Sequence, residues 1–151
     1  MIKCMKNLSN IQLVATDYSN EFSVLVVEDN LNHQLILHYL LRQQIKGVLP
    51  VGATSASQAL AYLRNCHAQN TRMPAMILID LYLPNRGDGW KLLRKIRSHA
   101  RYRSIPVVIV SASAELSDIE QSYHFGANSY IVKPLTMEGW QDILPAIAQL
   151  V

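Results

Sequence analysis

Five short runs of apolar residues punctuate this chain, and between them apolar positions recur at helical spacing. The runs cover 24–27, the weaker 48–53, 76–79, 107–110 and a stretch around Tyr130-Ile131-Val132. Apolar runs without alternation suit strands buried on both faces, as in a parallel sheet covered by helices. Helical patterns fall at about 32–45, 55–66, 88–99, 115–125 and 137–149. Strand and helix in strict alternation predict an α/β fold, a doubly wound five-stranded parallel sheet with right-handed crossovers and helices on both faces. Residues 1–21 stand outside this pattern and read as an N-terminal arm, leaving 22–151 as one domain. Pro145 lies inside the last helical pattern, where it removes an amide donor and crowds the preceding turn, so that helix is expected to be kinked or split.

Composition narrows the class. The chain has 151 residues, 50% hydrophobic and 17% charged, enough for one domain with a sizeable core and too apolar for dominant disorder. Cys4 and Cys66 show neither CxxC nor metal spacing, so a reduced, cytoplasmic setting is expected. No apolar run approaches the ~18 residues of a membrane span, and the start, MIKCMKNLSN, lacks the apolar core of a signal peptide. Neither GxGxxG nor GxxxxGK[ST] occurs, which excludes the common nucleotide-binding loops. The histidines at 33, 38, 67, 99 and 124 show no pairing that argues for metal or catalysis.

Ligands of an open parallel sheet bind outside the carboxyl ends of its strands, near the point where the strand order reverses. The first run ends in Glu28-Asp29-Asn30, the third in Asp80, the fourth in Ser111-Ala112, and the fifth is followed by Lys133-Pro134. The topology would bring these carboxylates, a hydroxyl and an ammonium to one rim. A bare carboxylate such as Asp80 at the end of a buried strand needs a cation or solvent beside it. Carboxylate oxygens with one open side suit Mg²⁺, which completes its shell with water and phosphate oxygens. A lysine and a hydroxyl alongside suit a phosphoryl group.

With the segments VLVVEDN, MILIDLYLP, VVIVSAS and YIVKP in that order, the chain resembles the response regulator receiver domain, the phosphoacceptor half of two-component signalling. The likeness runs from about Ser23 to Leu150, and the 31 residues from Asp80 to Ser111 and 22 from Ser111 to Lys133 are close to the family pattern. It implies the flavodoxin-like receiver fold and a single-domain, chemotaxis-regulator-like protein that catalyses its own phosphotransfer and dephosphorylation. By resemblance Asp80 is the phosphoacceptor, and Glu28, Asp29, Asp80 and the backbone carbonyl of Tyr82 hold Mg²⁺. Lys133 would contact the phosphoryl oxygens, Ser111 would carry the switch hydroxyl and Tyr130 the switch aromatic. The implied partners are a sensor histidine kinase or histidine phosphotransfer protein, a downstream protein target engaged by docking, and a second copy meeting it through the fourth helix, fifth strand and fifth helix.

Simpler roles exist for the same residues. Asp29-Asn30 could cap the helix that follows, Ser111 could be a turn hydroxyl, Lys133-Pro134 a strand exit and Tyr130 a core aromatic. An interaction module that keeps the receiver fold without phosphorylation is a second reading; loss of acidic-pocket residues would mark it, and none is lost. A haloacid-dehalogenase-like phosphatase would want a second aspartate two positions after Asp80, where Tyr82 stands. By the receiver resemblance Tyr82 instead borders the path of the hydrolytic water, where a bulky aromatic is expected to slow loss of the phosphate.

Two features depart from the family pattern. LPNRGDG places Asp88-Gly89 one position late, an insertion that Gly87 can absorb by adopting positive φ. The net charge is +3, with Arg86, Lys91, Arg94, Lys95, Arg97, Arg101 and Arg103 around one helix. Those cations form either a solvated face opposite Leu92, Leu93 and Ile96 or a contact surface for an acidic protein or nucleic acid; a nucleic-acid partner is not expected. No output module fits within the first 21 residues and none follows Val151, so output by docking is expected.

Overall fold

The computed structural model describes residues 20–151, so the expected N-terminal arm lies outside the described residues except for Asn20 and Glu21. The elements run β1 (Phe22–Val27), α1 (Leu31–Gln44), β2 (Val48–Ala53), α2 (Ala56–Ala68), β3 (Met76–Ile79), α3 (Asp88–Ser98), β4 (Val107–Ser111), α4 (Leu116–His124), β5 (Ser129–Val132) and α5 (Met137–Ala148). All strand pairings are parallel and the sheet order is β2-β1-β3-β4-β5. The chain therefore steps from β1 outward to β2, then returns to β1's other side for β3. That reversal opens a crevice between the carboxyl ends of β1 and β3.

Burial explains why the runs lack alternation. Every residue of β3 and β4 is buried, as are the last four of β1, because both sheet faces are covered. One face packs against α2 and α3 through Leu63, Leu92, Leu93 and Ile96, and the other against α1 and α5 through Leu37, Leu41, Leu144 and Ile147.

Pro145 does not split α5, which runs unbroken from Met137 to Ala148. The residue sits in the last turns, where its missing amide and its crowding cost about 3 kcal/mol. Leu144 and Ile147 on either side are fully buried, with Trp140 one turn earlier nearly so. At roughly 2 kcal/mol for each large apolar side chain, that burial outweighs the proline. The insertion after Asp80 is absorbed as its sequence predicts: Gly87 has φ +89 and forms the cap of α3. Asn85 N donates to Asp88 Oδ2 at 2.9 Å, closing the loop onto the helix. Gly89 then packs so closely that a Cβ there would overlap the Asp80 carbonyl, so the helix start is pressed against the strand end.

Candidate functional site

Parallel pairing places the rim residues in register. Val27 is opposite Ile79, so the residues that follow, Glu28 and Asp80, emerge side by side, and Asp80 N donates to Val27 O at 3.1 Å. Ser111 ends β4, and its carbonyl accepts from Lys133 N at 2.7 Å, which brings the lysine from beyond β5 to the same rim. The simpler capping role falls to one residue: Asn30 Oδ1 accepts from the amides of Asn32 and His33 at 3.0 and 3.2 Å. Its neighbour Asp29 is exposed, and no capping contact holds it.

Lys133 is the hub. Its Nζ donates to Glu28 Oε2 and to Asp80 Oδ2, both at 2.6 Å, in a site where the lysine side chain is 8% exposed and Glu28 2%. Burial works against the charged ammonium, but its hydrogen bonds to Asp80 and Glu28 prevail and hold the Lys133 pKa above its ordinary value. For Glu28 the balance is reversed. Burial raises its pKa more than the bonds from Lys133 and the Asn30 amide lower it, and the nearby charge of Asp80 adds to the rise.

The ammonium also lies 3.3 Å from His33 Nδ1. The sequence showed no partner for His33; α1's first turn brings it to the rim, 3.8 Å from Glu28 Oε2. Burial and then the Lys133 charge lower its pKa, which favours an imidazole whose Nδ1 accepts a hydrogen bond from the lysine. The remaining bond to Asp80 comes from its own strand exit, with Tyr82 N donating to Oδ1 at 3.2 Å.

Glu28, Asp29 and Asp80 each offer an oxygen within 4.8 Å of the others. One ammonium therefore faces three carboxylates, an anionic surplus of hard oxygen donors. That donor set fits Mg²⁺, which prefers carboxylate and water oxygens and is commonly held by one or two carboxylates.

A second charged cluster lies beside the first and was not legible as a unit. Arg86, in the loop after Asp80, pairs with Asp118 of α4, whose carboxylate is 2% exposed. Asp118 Oδ2 also accepts from Ser113 Oγ at 2.6 Å. Burial opposes ionisation of Asp118, but the hydroxyl of Ser113 and the guanidinium of Arg86 win and hold its pKa below the ordinary carboxylate value. Tyr130 OH donates to the Ser113 carbonyl at 2.8 Å, and Ser111 Oγ accepts from Ser113 N at 3.2 Å. Trp90 Nε1 donates to Ser122 Oγ at 2.9 Å, and that hydroxyl donates to the Asp118 carbonyl at 2.7 Å. Only the switch roles that the resemblance implies for Ser111 and Tyr130 pointed here; the Arg86–Asp118 pair joins residues 32 apart and has no local signature.

Residues 24–144 match the family described as the response regulator receiver domain. The chain belongs to that family. Among receiver relatives, the probable methanogenesis regulatory protein FilR2 of Methanothrix harundinacea is 36% identical over 118 residues, 78% of this chain and 75% of that protein. The transcriptional regulatory protein MalR of Bacillus subtilis is 32% identical over 123 residues, 81% of this chain. This chain spans 48% of MalR and 37% of the response regulator Rre1 of Synechocystis, so those two extend well beyond the receiver. Among solved structures, the phosphorylated cyanobacterial phytochrome response regulator RcpA superposes with a TM-score of 0.75 at 31% identity, covering 85% of this chain and 92% of that one. The Mn²⁺-bound response regulator Rcp1 gives 0.73 at 25% identity, covering 86% and 96%.

As a receiver, the chain carries the acidic cluster with which the family binds a divalent cation and accepts and loses a phosphoryl group. No described helix is long and apolar enough to cross a membrane.

Proposed function

We propose that Asp80 is the phosphoacceptor of this receiver, taking a phosphoryl group from a sensor histidine kinase or a histidine phosphotransfer protein. The observation that carries this reading is the position of Asp80: at the end of the central strand β3, its carboxylate 2.6 Å from Lys133 Nζ and in one cluster with Glu28 and Asp29. Its carboxylate attacks the donor phosphorus in line. An O–P bond forms as the P–N bond to the donor imidazole breaks, and the ring nitrogen keeps the electron pair.

Lys133 is already placed on Asp80 Oδ2 and would pass to the phosphoryl oxygens, offsetting charge that spreads onto them. Glu28, Asp29, Asp80 and the Tyr82 carbonyl would hold Mg²⁺, which when bound neutralises the crowded carboxylates and shields the incoming phosphoryl charge. Ser111 ends the neighbouring strand and would donate its hydroxyl to the new phosphate. Tyr130 would act as the switch aromatic through its bond to the Ser113 carbonyl.

Two exposed apolar surfaces support the partner assignment. Leu31, Leu35 and Tyr39 are spaced by one turn along α1 and are all more than half exposed. They form a stripe that starts beside the acidic rim, where a helical donor domain would have to approach. Leu116, Val132, Leu135 and Met137 are exposed on α4, at the end of β5 and at the start of α5, the face that would dock a target or a second copy once phosphorylation moves Ser111 and Tyr130.

Intact mass after incubation with acetyl phosphate tests the reading. One phosphate is expected, dependent on Mg²⁺, and Asp80→Asn removes it because an amide is a poor nucleophile. Stoichiometric labelling of the Asn variant would place the chemistry elsewhere.

A further inference from the structure

The charges of this chain are segregated along it. Segments 54–79 and 89–114 hold eight of the fourteen Lys and Arg residues and none of the eleven Asp and Glu residues. The fold then sets the two segments side by side, because α2 and α3 cover the same sheet face through Ala59, Leu63, Leu92 and Ile96. Arg64 of α2, Lys91, Arg94 and Lys95 of α3, and Arg101 in the turn beyond are all exposed, with the Arg94 guanidinium 5.0 Å over the Phe125 ring. Arg101 contacts His67, which holds that turn against the end of α2. Asp88, at the border of the face, is 3.7 Å from Lys91.

Surfaces that serve only for solubility intersperse both signs, whereas like charges gathered without counter-charges repel one another and weaken the compact state. A partner that supplies the missing charge relieves that repulsion. The face also has shape. A cleft of about 340 Å³ opens between α2 and α3, lined by Leu60, Arg64, Lys95, Ser98, His99 and Tyr102. Its floor is Leu60 and Tyr102, the latter stacked on the His99 ring at 3.8 Å, and its rim carries Arg64 and Lys95.

We propose that the α2–α3 face docks an acidic segment of a partner protein, whose carboxylates pair with Arg64 and Lys95 and whose apolar side chain fills the cleft over Leu60 and Tyr102. This surface is separate from the α1 stripe and from the face of α4, β5 and α5, so it adds a contact to the receiver. Nucleic acid suits it less well. A phosphodiester chain has no apolar side chain for the floor, and α3 lies flat on the sheet with Leu92, Leu93 and Ile96 buried, so it does not project as a groove-reading helix would.

Fluorescence anisotropy decides the matter, using a labelled peptide of Glu and Asp interrupted by Leu, a matched peptide with Ser for Leu, and duplex DNA of equal charge. The Leu peptide is expected to bind, and to weaken as salt shortens the Debye length from about 14 Å to 6 Å. Lys95→Glu and Arg64→Glu should each weaken it about tenfold, through lost charge pairing. Lys46→Glu makes the same charge change in the exposed loop before β2 and should leave binding within about twofold, because distant exposed charges are screened. The Ser peptide should bind about fivefold more weakly, because it forfeits the apolar floor.

Lys95 and Arg64 are exposed, so far-UV circular dichroism of the variants should match the parent; Lys95→Gln repeats the test with a smaller change. The proposal fails if the Leu peptide does not bind at low salt, if Leu and Ser peptides bind alike, or if duplex DNA binds more tightly than either. Sedimentation velocity adds a further check: self-association of the free protein that Lys95→Glu abolishes would assign the face to a second copy instead.

Discussion

The rim and the Arg86–Asp118 cluster both bury a carboxylate against a cation, and both lie at the carboxyl end of the sheet, yet they differ in what is left over. At the rim, one ammonium serves Glu28 and Asp80, with Asp29 close by. Negative charge is in surplus and the Glu28 pKa is raised. In the second cluster, Arg86 and the Ser113 hydroxyl together satisfy a single carboxylate, and the Asp118 pKa is lowered. Surplus acid draws a divalent cation, whose charge in turn admits a phosphoryl group, whereas a matched pair is a strut. The strut ties the loop after Asp80 to α4, next to the residues expected to move on phosphorylation. Charge stoichiometry, more than burial or distance, separates the reactive cluster from the structural one.

Removing the single cation of the rim should have the largest effect. Lys133→Met is expected to slow phosphorylation by acetyl phosphate about 100-fold, the scale on which loss of one preorganised donor to a developing charge is felt. Rapid-quench labelling at saturating Mg²⁺ measures it; a change below tenfold would take Lys133 off the phosphoryl oxygens. Ser122→Ala, on the strut side, should leave that rate intact. It removes the acceptor of the Trp90 indole N–H and costs about 1 kcal/mol in urea unfolding. If the rate falls while stability does not, the strut belongs to the reactive site and the distinction collapses.

The two clusters should also respond to pH with opposite sign in metal-free protein. The Glu28 pKa is raised above the ordinary 4.5, so between that value and the raised one the folded state holds more protons than the unfolded, and stability falls as pH rises. Asp118 is lowered below the ordinary 3.8, so the unfolded state holds more protons there. Its contribution is present above 3.8 and is lost as pH falls through the folded value. Urea midpoints across pH for Glu28→Gln and Asp118→Asn, each set against the parent, should diverge in opposite directions. Parallel curves would show that the rim has no anionic surplus.

Subtler effects concern signal and lifetime. Ser111→Ala should still be phosphorylated, yet show a smaller phosphorylation-dependent change in amide exchange over residues 115–140, because a ligand shifts an equilibrium only by its differential contacts with the two states. A full response would move the coupling onto the strut, which reaches α4 without that hydroxyl. Tyr82 is part-exposed beside Asp80, and Tyr82→Asn should shorten the phosphorylated lifetime several-fold by admitting water. An unchanged lifetime would mean that the ring does not screen the phosphate.

Much of this is legible in the sequence. Strand runs at 76–79 and 107–110 stand out because central parallel strands are buried on both faces and so lose alternation. Glu28, Asp80, Ser111 and Lys133 follow such runs directly, and parallel strands deliver their ends to a common rim. Gly87 announced its positive φ because an inserted residue in a tight loop needs a backbone that tolerates it.

What the linear order determined, then, was the set of elements, their succession and the identity of the rim residues, because each depends on local periodicity or on position at a strand end. Tertiary structure alone decided which charges meet. His33 reaches Lys133 across 100 positions and Arg86 reaches Asp118 across 32; such pairs depend on helix rotation and loop closure, which leave no periodic trace. The intact α5 was decided there too, since burial of Leu144 and Ile147 offsets a proline that local rules read as a break. So was the cationic face: two carboxylate-free segments are divided by the stretch that holds Asp80 and Asp88, and only the packing of α2 beside α3 makes them one surface.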